Sequence, residues 1–360
     1  GWYSPRANWY KMTAAHNTVV VDAKNQLTRF GVPETEPLQV QLDPRKGSVL
    51  GTTTAWVAGE VVKLIRAEGP ALVQTTALQK FERSLLLIDI SPEDSYLLDI
   101  FRVTGGHDHA KFMHGNFGTV SATGIPSSPM VDFGPETQMR NFRGGTPAPG
   151  WHVDWKIADR YRYLPAGAEV HLRYTDLTNE TQAALAESWL IERGHETWVP
   201  SLLVRRQGAT TEQLASTFVA ILEPYTDRTK IKTISRINLE TETGQTADEA
   251  NVGVIVQQAS GRSDLLIAAA TGPLNSAERR LVQPGWAVST DADFCLIRRD
   301  PNNEIEYLFL SGGRNLQVGD LQLTLTPGTS LFEARIKAGK LVVLRGTPND
   351  VLSFRLHPSE

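Results

Sequence analysis

The chain has 360 residues, 41% of them hydrophobic, with 8 Trp, 8 Tyr and 12 Phe, enough to fill one large all-β domain or two domains and too much for a disordered chain. Its 36 basic and 40 acidic residues give a formal net charge of −4, which excludes bulk electrostatic capture of nucleic acid or acidic lipid and leaves only a local basic groove for a polyanion. Cys295 is the only cysteine, which excludes an intrachain disulfide, a cysteine-based zinc module and a CxxC redox pair.

In chain order, Gly1-Trp2-Tyr3-Ser4-Pro5-Arg6 has neither the charged nor the apolar region of a signal peptide, and no run of about 18 apolar residues follows, so no membrane span is expected. The chain opens without methionine on a structured-looking segment, which reads as a piece of something longer. A strand is expected over 17–22, at the end of Thr13-Ala14-Ala15-His16-Asn17-Thr18-Val19-Val20-Val21-Asp22. Extended backbone would put His16, Thr18, Val20 and Asp22 on one face. His16 then has two readings: a rigidly held group for chemistry or metal, or a partly buried polar residue capped by a backbone carbonyl.

Short apolar or alternating stretches predict further strands over 55–62, 84–90, 96–103, 169–174, 202–206, 218–222, 252–256, 264–269, 294–298, 306–310, 321–326 and 341–345, separated by Gly, Pro, Asn and Asp. Helical periodicity is weak, with a turn or two expected at 211–216 and 276–282. The architecture expected is all-β: a large antiparallel β-sandwich followed by a smaller C-terminal β-sheet domain. A polar, apolar-poor stretch containing Glu240, Glu242, Asp248 and Glu249 sets the expected domains at 1–232 and 233–360. The loop at 125–150 is long enough to rim a cleft.

Two clusters stand out chemically. In Gly105-Gly106-His107-Asp108-His109, followed by His114-Gly115, His107 and His109 would share a strand face as two metal ligands should, while His114 would face the other way unless a bulge intervenes. The simpler reading is a set of loop histidines. Arg140, Arg143, Arg160, Arg162, Arg173, Arg205 and Arg206 interleave with Trp151, Trp155, Tyr161, Tyr163 and Tyr174. Guanidinium forks and aromatic faces together suit an acidic polysaccharide; the ordinary alternative is solvent-facing arginines over core aromatics.

Thr13-Ala14-Ala15-His16-Asn17-Thr18-Val19-x-Val21-Asp22 with Gln26, Arg83-Ser84-Leu85-Leu86-Leu87, Leu98-Asp99-Ile100-Phe101-Arg102-Val103-x-Gly105-Gly106 with His109 and His114-Gly115, and 218–222 leading into Glu223-Pro224-Tyr225 resemble, in order and spacing across roughly residues 1–230, the heparinase II/III-like polysaccharide lyases. The resemblance implies a β-sandwich that in the family packs against an N-terminal α/α toroid not represented in this chain, with a uronic-acid polysaccharide such as a glycosaminoglycan or alginate in the cleft. It implies β-elimination: the uronate carboxylate is neutralised, the C5 proton abstracted and the 4-O leaving group protonated.

The family's catalytic residues lie on the toroid or just upstream of the Ala-His-Asn-Thr segment, so the resemblance assigns no catalytic residue to this chain and implies inactivity without the toroid. His16 matches a histidine completing a zinc site whose other ligands, a histidine and an aspartate, lie upstream; one histidine alone does not hold zinc. Trp2, Tyr3, Trp9 and Tyr10 fall in the segment the family places near the cleft, with core packing the other reading. The candidate substrate-binding residues are therefore Trp2, Tyr3, Tyr10, Arg143 and Trp151, and the candidate metal ligand is His16. The expected partners are an acidic polysaccharide and the toroid, not nucleic acid, and the implied location is periplasmic or secreted. The alternative is a non-catalytic carbohydrate-binding or scaffold sandwich.

Overall fold

Period-two stretches of β-branched and aromatic residues have one way to bury a face in water, which is to pair and stack, and here they form four antiparallel sheets. The structure, a computed structural model, describes residues 9–26, 51–73, 78–115, 117–134, 137–192, 194–209, 212–271 and 280–356. Its contacts divide it into two compact units: 1–56, 65–87 and 95–228, and 57–64, 88–94 and 229–360. The second unit thus takes in two short segments from early in the chain.

The first unit is built on two sheets. One runs, in spatial order, Val19–Val21, Asp108–His114, His195–Gln207, Gln182–Glu192, Met139–Gly145, Ser128–Pro129. The other runs Thr52–Ala58, Val62–Glu68, Lys80–Asp89, Ser95–Thr104, Ala215–Tyr225, His171–Asp176, His152–Ile157, Gly118–Thr123. Between them lies a core that includes Val21, Phe101, Trp151, Trp155, Tyr174, Leu202 and Phe218. Trp155, Tyr174 and Phe218 are wholly buried, each worth about 1.5–3 kcal/mol in area removed from water. Gly115 is held to glycine by this core, because a Cβ there would lie 2.3 Å from Trp155 Nε1. A second cluster, Trp9, Phe112, Phe133, Phe142, Trp189 and Leu203 among others, covers the opposite face of the six-stranded sheet.

In the second unit, a seven-stranded sheet (Ile231–Ile237, Val252–Gln258, Ser263–Ala268, Phe294–Arg299, Ile305–Ser311, Leu331–Lys337, Lys340–Arg345) stacks on a six-stranded one that ends at Val351–Leu356. Their shared core holds Cys295, Ile297, Leu308, Phe332 and Leu323. The opposite face of the seven-stranded sheet carries a row in register: Asp264, Arg298, Tyr307 and Arg335. Two residues before Arg335 on that face is Glu333, which accepts hydrogen bonds from the backbone N–H groups of Glu60 (2.6 Å), Val61 and Val62 (both 3.2 Å) and from the Tyr307 hydroxyl (2.5 Å).

The all-β sandwich architecture expected from the sequence is what the structure shows. Several elements differ in detail. The strand expected over 55–62 is two strands, broken at Gly59, where a Cβ would lie 2.5 Å from Glu333 Oε1 and 2.6 Å from the Val62 carbonyl oxygen. The strand expected over 17–22 is confined to Val19–Val21: Thr13–Ala15 is a short 3-10 turn capped by His16, and Asp22 adopts φ 51°. No helix forms in the described parts of 211–216 or 276–282; Ala215–Tyr225 and Leu281–Gln283 are strands, because pairing partners are available to them.

Candidate functional site

The six-stranded sheet owes its most chemically open surface to one irregularity. Along Met139–Gly145, Arg143 stands opposite Leu185 and Arg140 opposite Glu187, so three steps on one strand match two on its neighbour. The extra residue is a β-bulge, and Asn141 within it takes φ 58°. In a regular strand, residues three apart face opposite ways. The bulge restores the phase: Met139 and Phe142 both join the cluster on the outer face, and Arg140 and Arg143 both reach the groove on the other.

That groove is open, about 1060 Å³, and its walls are Gly118, Val120 and Ala122 on one side, the turn through Ile125 to Met130, and Arg140, Arg143, Glu187 and Trp198 on the other. The stretch expected to rim a cleft does so, while contributing two strands of its own. The two arginines differ. Arg140 donates through Nε to Glu187 (2.8 Å), which also accepts from Asn141 Nδ2 (2.8 Å), and its guanidinium carbon lies 3.8 Å from the centroid of the Trp198 ring. It is neutralised and stacked. Arg143 is exposed and donates through Nε to the Ser127 hydroxyl at 3.3 Å; among the described residues no carboxylate pairs with it. A planar cation held over a groove with most of its donors unspent suits a carboxylate or sulfate.

The other candidates are placed elsewhere. Trp2 and Tyr3 lie outside the described residues. Tyr10 is 44% exposed, but its hydroxyl accepts the Ile191 N–H (2.7 Å) and its ring lies 5.6 Å from that of Trp189. Trp151 is buried in the sandwich core beside Tyr174, so it offers no face to a ligand. Trp9 is likewise buried, donating from Nε1 to the Trp189 carbonyl.

His16 is exposed, and its Nε2 is 3.0 Å from the Tyr10 carbonyl oxygen. That agrees with the capped-histidine reading in its partner but not in burial. Among the described residues no group of three or more His, Cys, Asp or Glu side chains is arranged to hold a metal ion. The described donors around His16 therefore do not hold zinc by themselves.

The other histidines of the second cluster are committed as well. His109 is buried between the Ser216 hydroxyl (Nδ1, 2.8 Å) and the Gly105 carbonyl (Nε2, 2.7 Å), and burial lowers its pKa. His114, on the opposite face, sits between the Ser201 hydroxyl (Nδ1, 2.8 Å) and the Ala14 carbonyl (Nε2, 2.7 Å). A neutral ring with its proton on Nε2 satisfies both. Burial pulls this histidine down to about 4, against the opposing Ala14 hydrogen bond. His107 bonds the Glu212 carbonyl.

Residues from the motifs of the family resemblance, Asn17, Arg83, Asp99 and His114, converge in one network. Arg83 holds Asp99 bidentately (2.8 and 2.9 Å) and donates to the Asn17 carbonyl (2.7 Å); the Asn17 side chain accepts the His114 N–H (2.7 Å). Lys111, itself buried, places Nζ 2.9 Å from Asp99. Burial alone would raise the Asp99 pKa, but Lys111 and Arg83 overcome it and hold it at about 2. This is architecture.

Sequence reasoning missed the bulge and Trp198. It also missed a surface cluster in which Asp154 accepts from Tyr225 (2.5 Å), His171 Nδ1 (2.8 Å) and Arg173 Nε (3.1 Å), with the His171 and Tyr225 rings stacked at 4.9 Å. The alternation His171-x-Arg173 across from Asp154 was its available signal.

Among the described residues no helix is long and apolar enough to cross a membrane. No family model and no curated protein matches the chain. Solved structures do. The heparan sulfate lyase HepC from Pedobacter heparinus is 15% identical, with a TM-score of 0.43, covering 74% of this chain and 32% of that one. A heparinase III is 12% identical, with a TM-score of 0.42, covering 70% and 30%. The chain thus spans about a third of the length of the solved structures it matches.

Proposed function

We propose that this chain is the β-sandwich portion of a polysaccharide lyase and that its groove binds a uronic-acid-containing polysaccharide. The observation that carries the reading is Arg143, a guanidinium on the wall of an open groove whose partner among the described residues is the Ser127 hydroxyl. A uronate carboxylate would complete its fork, and Trp198, stacked on Arg140 in the same groove, adds aromatic surface for a sugar. The order of sequence motifs supports the same reading. Elimination itself, which takes the C5 proton to a base and returns one to the 4-oxygen, is assigned through the family resemblance to groups on the toroid or upstream of His16; among the described residues no histidine or tyrosine lines the groove. The reading places the chain in a periplasmic or secreted setting, beside a toroid that supplies those groups and, with residues upstream of His16, any zinc.

The test is binding of the chain to immobilised alginate, heparan sulfate and ulvan, with dextran as the neutral control. Retention of at least one acidic polymer, weakened about tenfold by Arg143→Gln, is expected. Equal retention of the variant, or none of any polymer, overturns the proposal. The second reading, a binding sandwich without chemistry, rests on the same Arg143 and groove. A longer protein carrying a toroid separates the two: growth of the unsaturated product's ultraviolet absorbance supports the lyase, and binding without it supports the second.

A further inference from the structure

The second unit contains a smaller pocket, about 240 Å³, unrelated to the groove. Its floor is the register row on the seven-stranded sheet. Arg298, buried, is clamped by Asp264 through Nε (2.6 Å) and Nη2 (2.8 Å) and donates Nη1 to the Asp89 carbonyl (2.9 Å). Next in the row, Tyr307 is turned toward Glu333, and burial, then that carboxylate, pushes its phenol pKa up. Val61 and Ile90 close an apolar side. Around the mouth stand Arg262, paired with Glu306 at 2.9 Å, and the exposed Arg335 and Lys337.

The charges decide what such a pocket takes. Its lining holds four cations, Arg262, Arg298, Arg335 and Lys337. Two are matched, by Glu306 and Asp264; four less two leaves a net charge of +2. Among the described residues no carboxylate pairs with Arg335 or Lys337. They are two apart on one strand, hence on one face about 7 Å apart along it, and both line the same small volume. Random surface lysines spread their charge into solvent, whereas here a buried arginine–aspartate pair fixes the floor beneath them. The pocket is too small for an oligosaccharide and has room for a single compact group.

We propose that this pocket binds a small oxyanion of the sulfate or phosphate type, presented either as the free ion or as a sugar ester. The fork of Arg335 and the ammonium of Lys337 carry the charge recognition, and neither has to leave a partner to do so. The proposal stands independently of the polysaccharide groove.

Isothermal titration of the 1–360 chain with sodium sulfate, sodium phosphate and glucose 6-sulfate, each against sodium chloride of equal ionic strength, tests it. Saturable binding at one site per chain is expected. It should weaken about a hundredfold in Arg335→Gln/Lys337→Gln, roughly tenfold per charged donor, and persist in Arg335→Lys/Lys337→Arg. Both positions are exposed, so the variants should fold; unchanged far-ultraviolet circular dichroism confirms it. Preference for glucose 6-sulfate over sulfate assigns the ester, and the reverse assigns the free ion. No saturation beyond chloride, or undiminished binding by the glutamine variant, overturns the proposal. Loss of Arg143 must leave this binding unchanged, which separates failure here from failure at the groove.

Discussion

Each unit buries a carboxylate completely, and the two are held in opposite ways. In the first, Asp99 faces cations: Arg83 and the buried Lys111. In the second, Glu333 takes three backbone N–H groups and a phenol, all of them neutral. Charge meets charge in one, and charge meets dipoles in the other. The physical consequence differs. An ion pair can be replaced as a pair, because removing both charges removes both desolvation penalties. Backbone donors cannot be substituted away, so the second carboxylate has no compensating partner change.

The largest effects come from breaking these sites. Asp99→Leu alone should cost about 3–5 kcal/mol by stranding Lys111, and Asp99→Leu/Lys111→Met should recover most of it, as read by urea unfolding. Glu333→Leu should cost a similar amount, and Glu333→Leu/Tyr307→Phe should not recover it. Recovery in the second double variant would erase the contrast. Next in size is a pH effect confined to the first unit. His114 has an unfolded value near 6.5 and a folded value of about 4. The unfolded chain therefore binds the proton first, and stability present above about pH 6.5 falls by about 3 kcal/mol as pH drops to 4. Asp99, held at about 2 against 3.8, adds a further loss below about pH 4, since its contribution is present above its unfolded value. Seven of the eight tryptophans precede residue 229, so tryptophan fluorescence should follow the first unit's acid loss, and His114→Gln should flatten the step between pH 6.5 and 4.

A smaller effect sharpens the picture of the second unit. Gly59→Ala forces a Cβ against Glu333 and the Val62 carbonyl and should cost about 1–3 kcal/mol, measurable as a lower urea midpoint. The smallest is Arg143→Gln. With an exposed side chain and no charged partner among the described residues, it should leave stability within about 0.5 kcal/mol while binding of acidic polysaccharide falls.

Strand-rich architecture was readable because period two and turn residues are local signals; the pairing of Asp264–Arg298 or of Arg83–Asp99 was not, since it depends on which strands become neighbours. The strand Gln182–Glu192, with the composition QAALAESWLIE, is rich in helix formers and carries no strand signal of its own; eleven paired positions with His195–Gln207 overrule its propensity. His16 illustrates the limit for sites. Its place at the head of an apolar run was visible, but the 3-10 turn before it, which puts its ring on the Tyr10 carbonyl, was not. In the sequence Arg143 stands as one of seven arginines that interleave with aromatics before residue 229. Arg140, Arg160, Arg173, Arg205 and Arg206 have acidic partners, whereas Arg143 has none among the described residues and lines the groove.

The extra residue at Asn141 makes the groove's chemistry a matter of counting. Regular pairing with every residue kept would put Arg140 and Arg143 on opposite sides of the strand, withdrawing one positive charge from the groove and turning it toward the packed cluster of Phe112 and Phe142, whereas deleting Asn141 outright would leave the two arginines two apart and still on one side. The irregular pairing, and not the length of the strand, is thus what keeps both cations over the groove, and its loss would act on ligand preference as replacing an arginine does while leaving every side chain in the region chemically intact.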